Sequence, residues 1–345
     1  MKDILGIGII GCGEIAVIHA KAIEKAKNAE IRMVMDVNED VARDLGQKYA
    51  VPYSTHLEEL LSREDIDAVY IATPHYLHSP LAIKAAQAGK HIMVEKPLAI
   101  DLEEADKMIS ECKKQKVALS VCLVMRYLPS VIKAKELVRK GVIGKVVGIR
   151  ISSLGEKPLS YWKQGYSGRV KTDWRSSKKK SGGGVLIMNI THDIDMLRYI
   201  TGLEVTQVFS QYDTFITPVE VEDMIMVILR YSNSALGVIE ASSFIKERES
   251  DADEIFGSEG RITLTNPPLV YTTKNIANFK GGEWKKLEEP TSSYDPRAKY
   301  IEEFAQAVLS GQDPPIKGED GRVALEIVLA AYKSGKENKA VSFPL

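Results

Sequence analysis

The sequence has 345 residues, more than the roughly 100 to 200 that one domain usually occupies, so it predicts two domains. Its 46 basic and 47 acidic side chains give a net charge of −1, which argues against a protein built to bind nucleic acid. The sequence has no run of about 18 apolar residues, no secretory signal pattern and only three cysteines without metal-ligand spacing, so we expect a cytoplasmic protein with no membrane span and no metal site.

Apolar runs alternate with helical patterns through the first third of the chain. The runs that read as strands lie at 4–10, 31–35, 68–72, 91–94 and 117–124, and the helical patterns lie near 15–26, 39–48, 79–88 and 101–114. Such alternation is typical of a parallel sheet covered by helices on both faces. We therefore expect residues 1–125 to form a doubly wound α/β domain of the Rossmann type.

A glycine-rich turn joins the first predicted strand to the first predicted helix. Gly11 and Gly13 belong to a G-x-G-x-x-A sequence, in which the first glycine permits a tight turn and the second lets the backbone approach a pyrophosphate. The helix start at Glu14 and Ile15 then favours phosphate charge. These four residues are predicted to bind a dinucleotide, with a tight turn that holds no ligand as the alternative.

Asp36 ends the second predicted strand. A carboxylate at this place accepts hydrogen bonds from the ribose hydroxyls of adenosine and repels a 2′-phosphate, so it favours NAD as the cofactor. The alternative for Asp36 is a helix N-cap or an aspartate that stabilises a turn. Arg43 follows a few residues later and keeps NADP open as a second possibility.

Polar side chains follow the next two predicted strands, at the sheet edge where such folds bind ligands. Thr73 and His78 follow the third strand, and Glu95 and Lys96 follow the fourth in a Glu-Lys-Pro sequence. We expect all four to line the cofactor pocket, and the Lys96 ammonium to hold a substrate oxygen. Helix capping and a solvated loop lysine are the alternatives.

The pattern of predicted strands and helices changes after about residue 125. Pro129 can open a helix that Gly141 closes, and further helices are predicted at 185–201, 296–310 and 319–334. Strand-like stretches lie at 145–153, 205–213, 221–231 and 235–244, and the turn at 231–234 predicts antiparallel pairing of the last two. We therefore expect residues 126–345 to form a second α/β domain with a largely antiparallel open sheet.

Three glycines at 182–184 lead into a helix that carries polar side chains. Asn189 and His192 are spaced to share one face of that helix, together with Met196. Histidine has a near-neutral intrinsic pKa, which suits it to exchange a proton with a hydroxyl group. The alternative is a histidine with a purely structural role.

Taken together, these motifs resemble the glucose-fructose oxidoreductase, inositol dehydrogenase and MocA superfamily. The resemblance runs over nearly the whole chain and includes Met125-Arg126-Tyr127 and Trp174-Arg175. It implies hydride transfer between a nicotinamide and a carbinol carbon of a sugar, cyclic polyol or derivative, in a homodimer or homotetramer. Lys96 matches the lysine of the family's Glu-Lys-Pro motif, and His192 matches its catalytic histidine.

The resemblance has one departure: Met188 stands where many members have an aspartate. A thioether does not exchange protons, so Lys96 and His192 are expected to act together, with Asn189 as an orienting amide. The expected substrate contacts are Arg126, Trp162, Arg175 and Tyr300. Two alternatives stay open: a sugar sensor that binds NAD without turnover, and an NAD-assisted glycosidase or epimerase of the same fold.

Overall fold

The computed structural model describes residues 3–247, 252–265, 267–287 and 294–345. Strands and helices alternate through its first part, as the sequence predicts. In chain order these elements are β1 (Leu5–Ile10), α1 (Glu14–Lys25), β2 (Ala29–Met35), α2 (Glu39–Lys48), β3 (Tyr53–Ser54), α3 (Leu57–Leu61), β4 (Ala68–Ile71), α4 (His78–Gln87), β5 (His91–Val94), α5 (Leu102–Gln115) and β6 (Leu119–Val121). The predicted strand at 117–124 is shorter than expected, because the chain enters a 3-10 turn at Val124–Tyr127.

Helices and one long strand make up the middle of the chain. They are α6 (Pro129–Arg139), β7 (Val146–Leu154), α7 (Leu159–Gln164), α8 (Lys178–Ser181), a π-helical turn (Leu186–Ile190) and α9 (Thr191–Thr201). Pro129 opens α6, and Gly202, with a φ of +67°, ends α9.

Short strands and two long helices complete the chain. They are β8 (Val205–Asp213), β9 (Met224–Tyr231), β10 (Leu236–Ser242), β11 (Glu254–Gly257), β12 (Gly260–Thr263), β13 (Leu269–Thr272), β14 (Glu283–Lys286), α10 (Pro296–Leu309), α11 (Gly318–Glu337) and β15 (Val341–Ser342). The turn predicted at 231–234 joins β9 to β10, which pair antiparallel. No helix in the described ranges is both long enough and apolar enough to cross a lipid bilayer.

The described residues divide into two compact units. The first contains the described chain up to Leu123 together with Pro158–Gly182 and Asp295–Leu325. Its described strands form a six-stranded sheet in the order β3-β2-β1-β4-β5-β6, and all pairs are parallel. Every residue of β1 and β4 is buried, as expected for strands covered on both faces.

The second unit contains Val124–Lys157, the described residues of Gly183–Tyr294, and Glu326–Leu345. Its described strands form one nine-stranded sheet in the order β14-β13-β12-β11-β7-β10-β9-β8-β15. Only the β7–β10 pair is parallel among these strands, so the prediction of a largely antiparallel sheet is confirmed.

Part of one face of the nine-stranded sheet is apolar and exposed. Residues along β9 alternate between buried and exposed positions, so that Val227 is buried and the neighbouring Ile228 is exposed. Ile228 pairs with Val238 on β10 and with Phe209 on β8, so the three exposed side chains are neighbours. The sheet therefore presents an apolar patch, here called the β8–β10 patch, that no described element of the unit covers.

Candidate cofactor and substrate site

Gly11 and Gly13 form the turn between β1 and α1, and their surroundings differ. Gly11 has a φ of +89°, and a Cβ there would lie 2.9 Å from the carbonyl oxygen of Ala72. A Cβ on Gly13 would meet no atom within 4 Å, so the space in front of the helix is open to a ligand. No side chain caps the N-terminus of α1. The turn therefore offers backbone amides and room for a pyrophosphate, which fits a bound dinucleotide.

Asp36 lies directly beside this turn. Its Oδ2 accepts a hydrogen bond from the backbone N–H of Cys12 at 2.7 Å, and its Oδ1 accepts one from Asn38 at 2.9 Å. Each carboxylate oxygen has a second lone pair, so Asp36 retains capacity to accept ribose hydroxyls. Burial, followed by the nearby Asp36 charge, raises the pKa of Cys12, which keeps this residue a thiol. The helix N-cap is Asn38, not Asp36, because the Asn38 side chain accepts from Asp40.

A later segment of the first unit, residues 164–175, is hydrogen-bonded to the glycine turn and to the helices α1 and α2. The carboxylate of Glu14 accepts hydrogen bonds from the backbone N–H groups of Tyr166 at 3.1 Å and Ser167 at 2.7 Å. Arg169 donates to the carbonyl oxygen of Cys12 at 2.8 Å and to Asp44 at 2.6 Å. The Glu14 side chain thus holds this segment, while Ile15 is more than a third exposed. Sequence reasoning missed Arg169, because no local pattern marks a contact over 157 positions.

Two histidines brace the loops that follow β4 and β5. The Nδ1 and Nε2 atoms of His78 lie 2.8 and 3.0 Å from the carbonyl oxygens of Pro97 and Thr73. His75 lies 2.8 Å from the carbonyl oxygen of Ser181 through Nδ1. Burial is the main cause that lowers the pKa of both histidines. His78 thus joins the Thr73 and Pro97 loops, and its predicted contact with the cofactor stays a prediction.

Lys96 follows Glu95 at the end of β5. Lys96 is half-buried and precedes a cis peptide bond to Pro97, whereas Glu95 is buried. The Thr73 hydroxyl, at the end of the neighbouring strand, is buried and has no hydrogen-bond partner among the described residues. A buried hydroxyl is normally bonded, so this group suits a ligand oxygen or nitrogen.

The other predicted residues of the first unit differ in their surroundings. The Trp162 ring is buried, and its indole N–H has no hydrogen-bond partner within the described ranges. The Arg175 guanidinium lies 5.1 Å from the ring centroid of Tyr161 and 4.6 Å from that of Trp174. Tyr300 is buried, and its hydroxyl donates to Ser120 at 2.9 Å. Trp162 and Arg175 therefore suit ligand contact better than Tyr300, whose hydroxyl is bonded within the protein core.

In the second unit, the glycine run is packed against a buried carboxylate. Glu222 accepts hydrogen bonds from Gly184 N at 2.6 Å, Leu186 N at 3.0 Å and the Tyr332 hydroxyl at 2.7 Å. A Cβ on Gly183 would collide with the Tyr332 hydroxyl oxygen, and one on Gly184 would collide with the Glu222 carbonyl oxygen. The glycines are therefore required by close approach, and Glu222 with Tyr332 fastens the start of the helix.

The turn that carries Asn189 is π-helical, which the sequence did not predict. Asn189 belongs to this turn and His192 to the regular helix after it, so the expected regular α-helical spacing of the two does not hold. Both side chains are half-buried, whereas Met188 is 3% exposed and Met196 is 5% exposed. Asn189 and His192 are thus more accessible than these two methionines, and Met196 does not share a face with them as expected.

Two carboxylates follow His192 in sequence, Asp193 and Asp195. Asp193 hydrogen-bonds to Asp253, and burial raises the pKa of Asp253 to about 6. Asp195 is buried and binds Arg126, whose Nε lies 2.8 Å from Oδ2. This pair commits the Arg126 guanidinium to the protein, so contact of Arg126 with a substrate stays a prediction.

Lys96 and His192 belong to different units, and their placement around one substrate oxygen stays a prediction. Within the first unit, the structure brings together the glycine turn, Asp36, Thr73 and the loop of Lys96 at the carboxyl ends of adjacent parallel strands. Ligands of such sheets bind at this edge.

Comparison with known proteins agrees with this arrangement. Residues 5–123 match the family model described as "Oxidoreductase family, NAD-binding Rossmann fold", and residues 131–263 match the model of the GFO/IDH/MocA C-terminal domain. The chain is 35% identical to a myo-inositol 2-dehydrogenase of Thermotoga maritima, over 97% of each chain. It is 28% identical to a scyllo-inositol 2-dehydrogenase (NAD(+)) of Bacillus subtilis, over 99% of this chain and 97% of the relative.

A solved structure is also similar over the whole length. Levoglucosan dehydrogenase in complex with NADH and levoglucosan matches with a TM-score of 0.87 and 26% identity, and the match covers 99% of this chain and 100% of that one. The Rossmann fold of the first unit and the α/β fold of the second are thus shared along the full chain.

Proposed function

Because this chain belongs to the Gfo/Idh/MocA oxidoreductase family, whose first domain is an NAD-binding Rossmann fold, we propose that it is an NAD-dependent dehydrogenase of sugars, cyclic polyols or their derivatives. The reaction is hydride transfer between a carbinol carbon and the nicotinamide. The observation that carries the proposal is the loop of Lys96, which follows β5 at the same sheet edge as the glycine turn and Asp36. Similarity to inositol dehydrogenases supports the substrate class.

The proposed roles follow from the chemistry of the side chains. Bound NAD supplies the hydride acceptor. The Lys96 ammonium donates a hydrogen bond to the substrate oxygen and stabilises its developing charge, and His192 takes the hydroxyl proton. Asn189 orients a hydroxyl group with its amide. Trp162 and Arg175 are proposed to contact the substrate, since the indole N–H is a buried donor and the guanidinium lies against aromatic rings.

A substrate panel tests this function. The protein is mixed with NAD and with inositols, anhydrosugars and simple sugars at alkaline pH, and NADH formation is followed by absorbance. We expect steady NADH release with at least one polyol. Binding of NAD and a sugar without NADH release would favour a sensor, an alternative supported by the buried Met188 at the position of the family's aspartate. Conversion of a glycoside or sugar with no net NADH would favour the glycosidase or epimerase alternative.

The Asp36 carboxylate is predicted to make the protein prefer NAD to NADP. Asp36→Ala removes the acceptor of the ribose hydroxyls, so NAD affinity should fall about 10- to 150-fold, which corresponds to the ~1.5 to 3 kcal/mol of hydrogen bonds to a charged group. Calorimetric dissociation constants for both cofactors measure this. Asp313→Ala, which removes an exposed carboxylate paired with Lys317, is the control and should leave both constants unchanged. Tighter binding of NADP than of NAD by the unmodified protein would contradict the assignment.

The β8–β10 patch is proposed to bind a second copy of the chain in a homodimer or homotetramer. Its apolar side chains, Phe209, Ile228, Leu236 and Val238, are each at least 36% exposed, and burying them between subunits is favourable. Ile228→Lys should shift the protein towards monomers in light scattering at micromolar concentration. Ile132→Lys, which charges an exposed apolar position on α6 instead, should leave the assembly intact. A monomeric unmodified protein would refute the proposal.

A cytoplasmic location remains part of the proposal. It is supported by the three cysteines, which are all buried free thiols, as expected in a reducing compartment.

A further inference from the structure

A buried polar network lies directly behind the Lys96 loop, inside the first unit. His19 of α1 and Glu95 at the end of β5 are in contact, with Nε2 2.5 Å from Oε1. The Tyr70 hydroxyl on β4 lies 3.2 Å from both the His19 Nε2 and the Glu95 Oε1 atoms. The second oxygen of Glu95 accepts a hydrogen bond from the backbone N–H of Lys96 at 3.2 Å. Binding of a dinucleotide at the glycine turn does not explain why these three polar side chains are buried together.

The hydrogen bonds of the network determine which groups are charged. Glu95 is 8% exposed and its oxygens face three donors, from His19, Tyr70 and the Lys96 backbone, so it is bound as a carboxylate. His19 is 1% exposed, and its Nδ1 is buried with no hydrogen-bond partner among the described residues. A lone pair at Nδ1 costs less there than an N–H group would, because a buried donor without an acceptor loses its hydration. His19 is therefore the neutral tautomer that donates through Nε2.

The network consequently keeps one negative charge behind the Lys96 loop. A neutral histidine and a phenol stabilise the Glu95 carboxylate through hydrogen bonds without cancelling its charge. Cys122 also approaches, with Sγ 4.0 Å from His19 Nε2, but burial raises its pKa well above the usual value and keeps it a neutral thiol. A zinc site would need the thiolate, so hydrogen bonding is the better account of this cluster.

We propose that His19 and Tyr70 are positioning residues for the dehydrogenase: they hold the Glu95 carboxylate as an anion that fixes the Lys96 backbone and keeps the Lys96 side chain a charged hydrogen-bond donor. The inference rests on the proposed function for its purpose, since a positively charged Lys96 stabilises a developing oxyanion. The effect of the Glu95 charge on Lys96 does not depend on which reaction the protein catalyses. Removal of the carboxylate charge, or of the donors that stabilise it, makes the ammonium form of Lys96 less favourable.

Competitive labelling of lysines tests this without any substrate. The protein loaded with NAD is exposed to an amine-specific acylating reagent over a range of pH, and mass spectrometry follows labelling of Lys96 against that of exposed Lys21. Glu95→Gln is expected to move the Lys96 labelling midpoint to lower pH by about one unit, the order expected for removing the charge of the adjacent residue in partly buried surroundings. His19→Leu should move it in the same direction by less.

Matched variants separate this role from a structural one. His19→Gln restores a side-chain N–H donor and should bring the midpoint most of the way back, whereas Tyr70→Phe, which removes one oxygen only, should give a small shift to lower pH. His91→Leu removes a histidine from the other end of β5 and should leave the midpoint unchanged. The melting temperature and the NAD affinity of each variant show whether it is folded. If Glu95→Gln does not fold, Tyr70→Phe takes its place in the test.

An unchanged Lys96 midpoint in folded Glu95→Gln and His19→Leu proteins would overturn the inference. The same shift in His19→Gln as in His19→Leu would also contradict it, because the donor would then be irrelevant. If the midpoints move as expected and no polyol reduces NAD, the network stands and the dehydrogenase proposal fails.

Discussion

Replacing His192 by alanine is expected to lower turnover about 10²- to 10⁴-fold while NAD affinity stays nearly unchanged. The reason is that an imidazole which takes the hydroxyl proton contributes this much to general acid-base catalysis. His192 lies in the second unit, whereas the glycine turn and Asp36 belong to the first, so its loss leaves the dinucleotide contacts intact. Steady-state NADH formation and calorimetric NAD binding measure the two quantities on one preparation.

His56→Ala is the matched control for this variant. His56 is exposed and precedes α3 in the first unit, and its side chain makes no cap hydrogen bond, so both turnover and NAD affinity should be unchanged. Undiminished turnover of His192→Ala on the true substrate would refute the proposed proton acceptor. Loss of NAD affinity together with turnover would instead indicate a structural role for His192.

Replacing Lys96 by alanine is expected to reduce turnover by a similar factor, because the substrate oxygen loses a charged donor during the formation of the carbonyl. Lys84→Ala, at an exposed position on α4, is the control and should behave like the unmodified protein. The double variant with His192→Ala should lose less than the product of the two single effects, since both groups act on one transition state.

The double variant also tests the geometry of the proposal. Lys96 and His192 belong to different compact units, and joint action on one oxygen requires that they meet at the substrate. Fully multiplicative effects would indicate that the two residues act independently. The mechanism would then need a separate partner for each of them.

Local patterns predicted much of the fold, and their success has a physical basis. The strand, glycine turn and helix at the start of the chain depend on residues that are near in sequence, so the position of Gly11 is predicted correctly. The helix predicted near 101–114 is present as α5, and the Asp101 side chain caps its start by accepting from the Glu104 N–H. The turn before β10 is confirmed for the same reason.

Features that depend on distant residues were not predictable in this way. The π-helical turn at Asn189 follows a helix start fastened by Glu222 and Tyr332, and these lie 36 and 145 positions from the amides they contact. The short strands β11 to β14 carry too few residues for a clear pattern. The contact of His19 with Glu95 is likewise not predictable from neighbouring residues, because each of the two appears in the sequence as a single polar side chain beside apolar ones.

The same distinction between local and distant contacts applies to the residues of the candidate site. The sequence correctly places Lys96 just after a parallel strand, since the end of β5 follows from the apolar run before it. It does not reveal that Tyr300 donates to Ser120 or that Arg126 binds Asp195, because both partners come from other elements. Tertiary contacts decide which polar side chains remain accessible to a ligand.

A single-turnover measurement shows directly whether the protein transfers a hydride from a polyol to NAD. The protein in excess over NAD is mixed with the most active polyol, either unlabelled or deuterated at the reacting carbon, and NADH absorbance is followed in a stopped-flow instrument. We expect NADH to form in proportion to the NAD bound and more slowly from the deuterated polyol, and we expect His192→Ala to slow this phase. NAD that stays oxidised with every polyol that binds would contradict hydride transfer as the function of this protein.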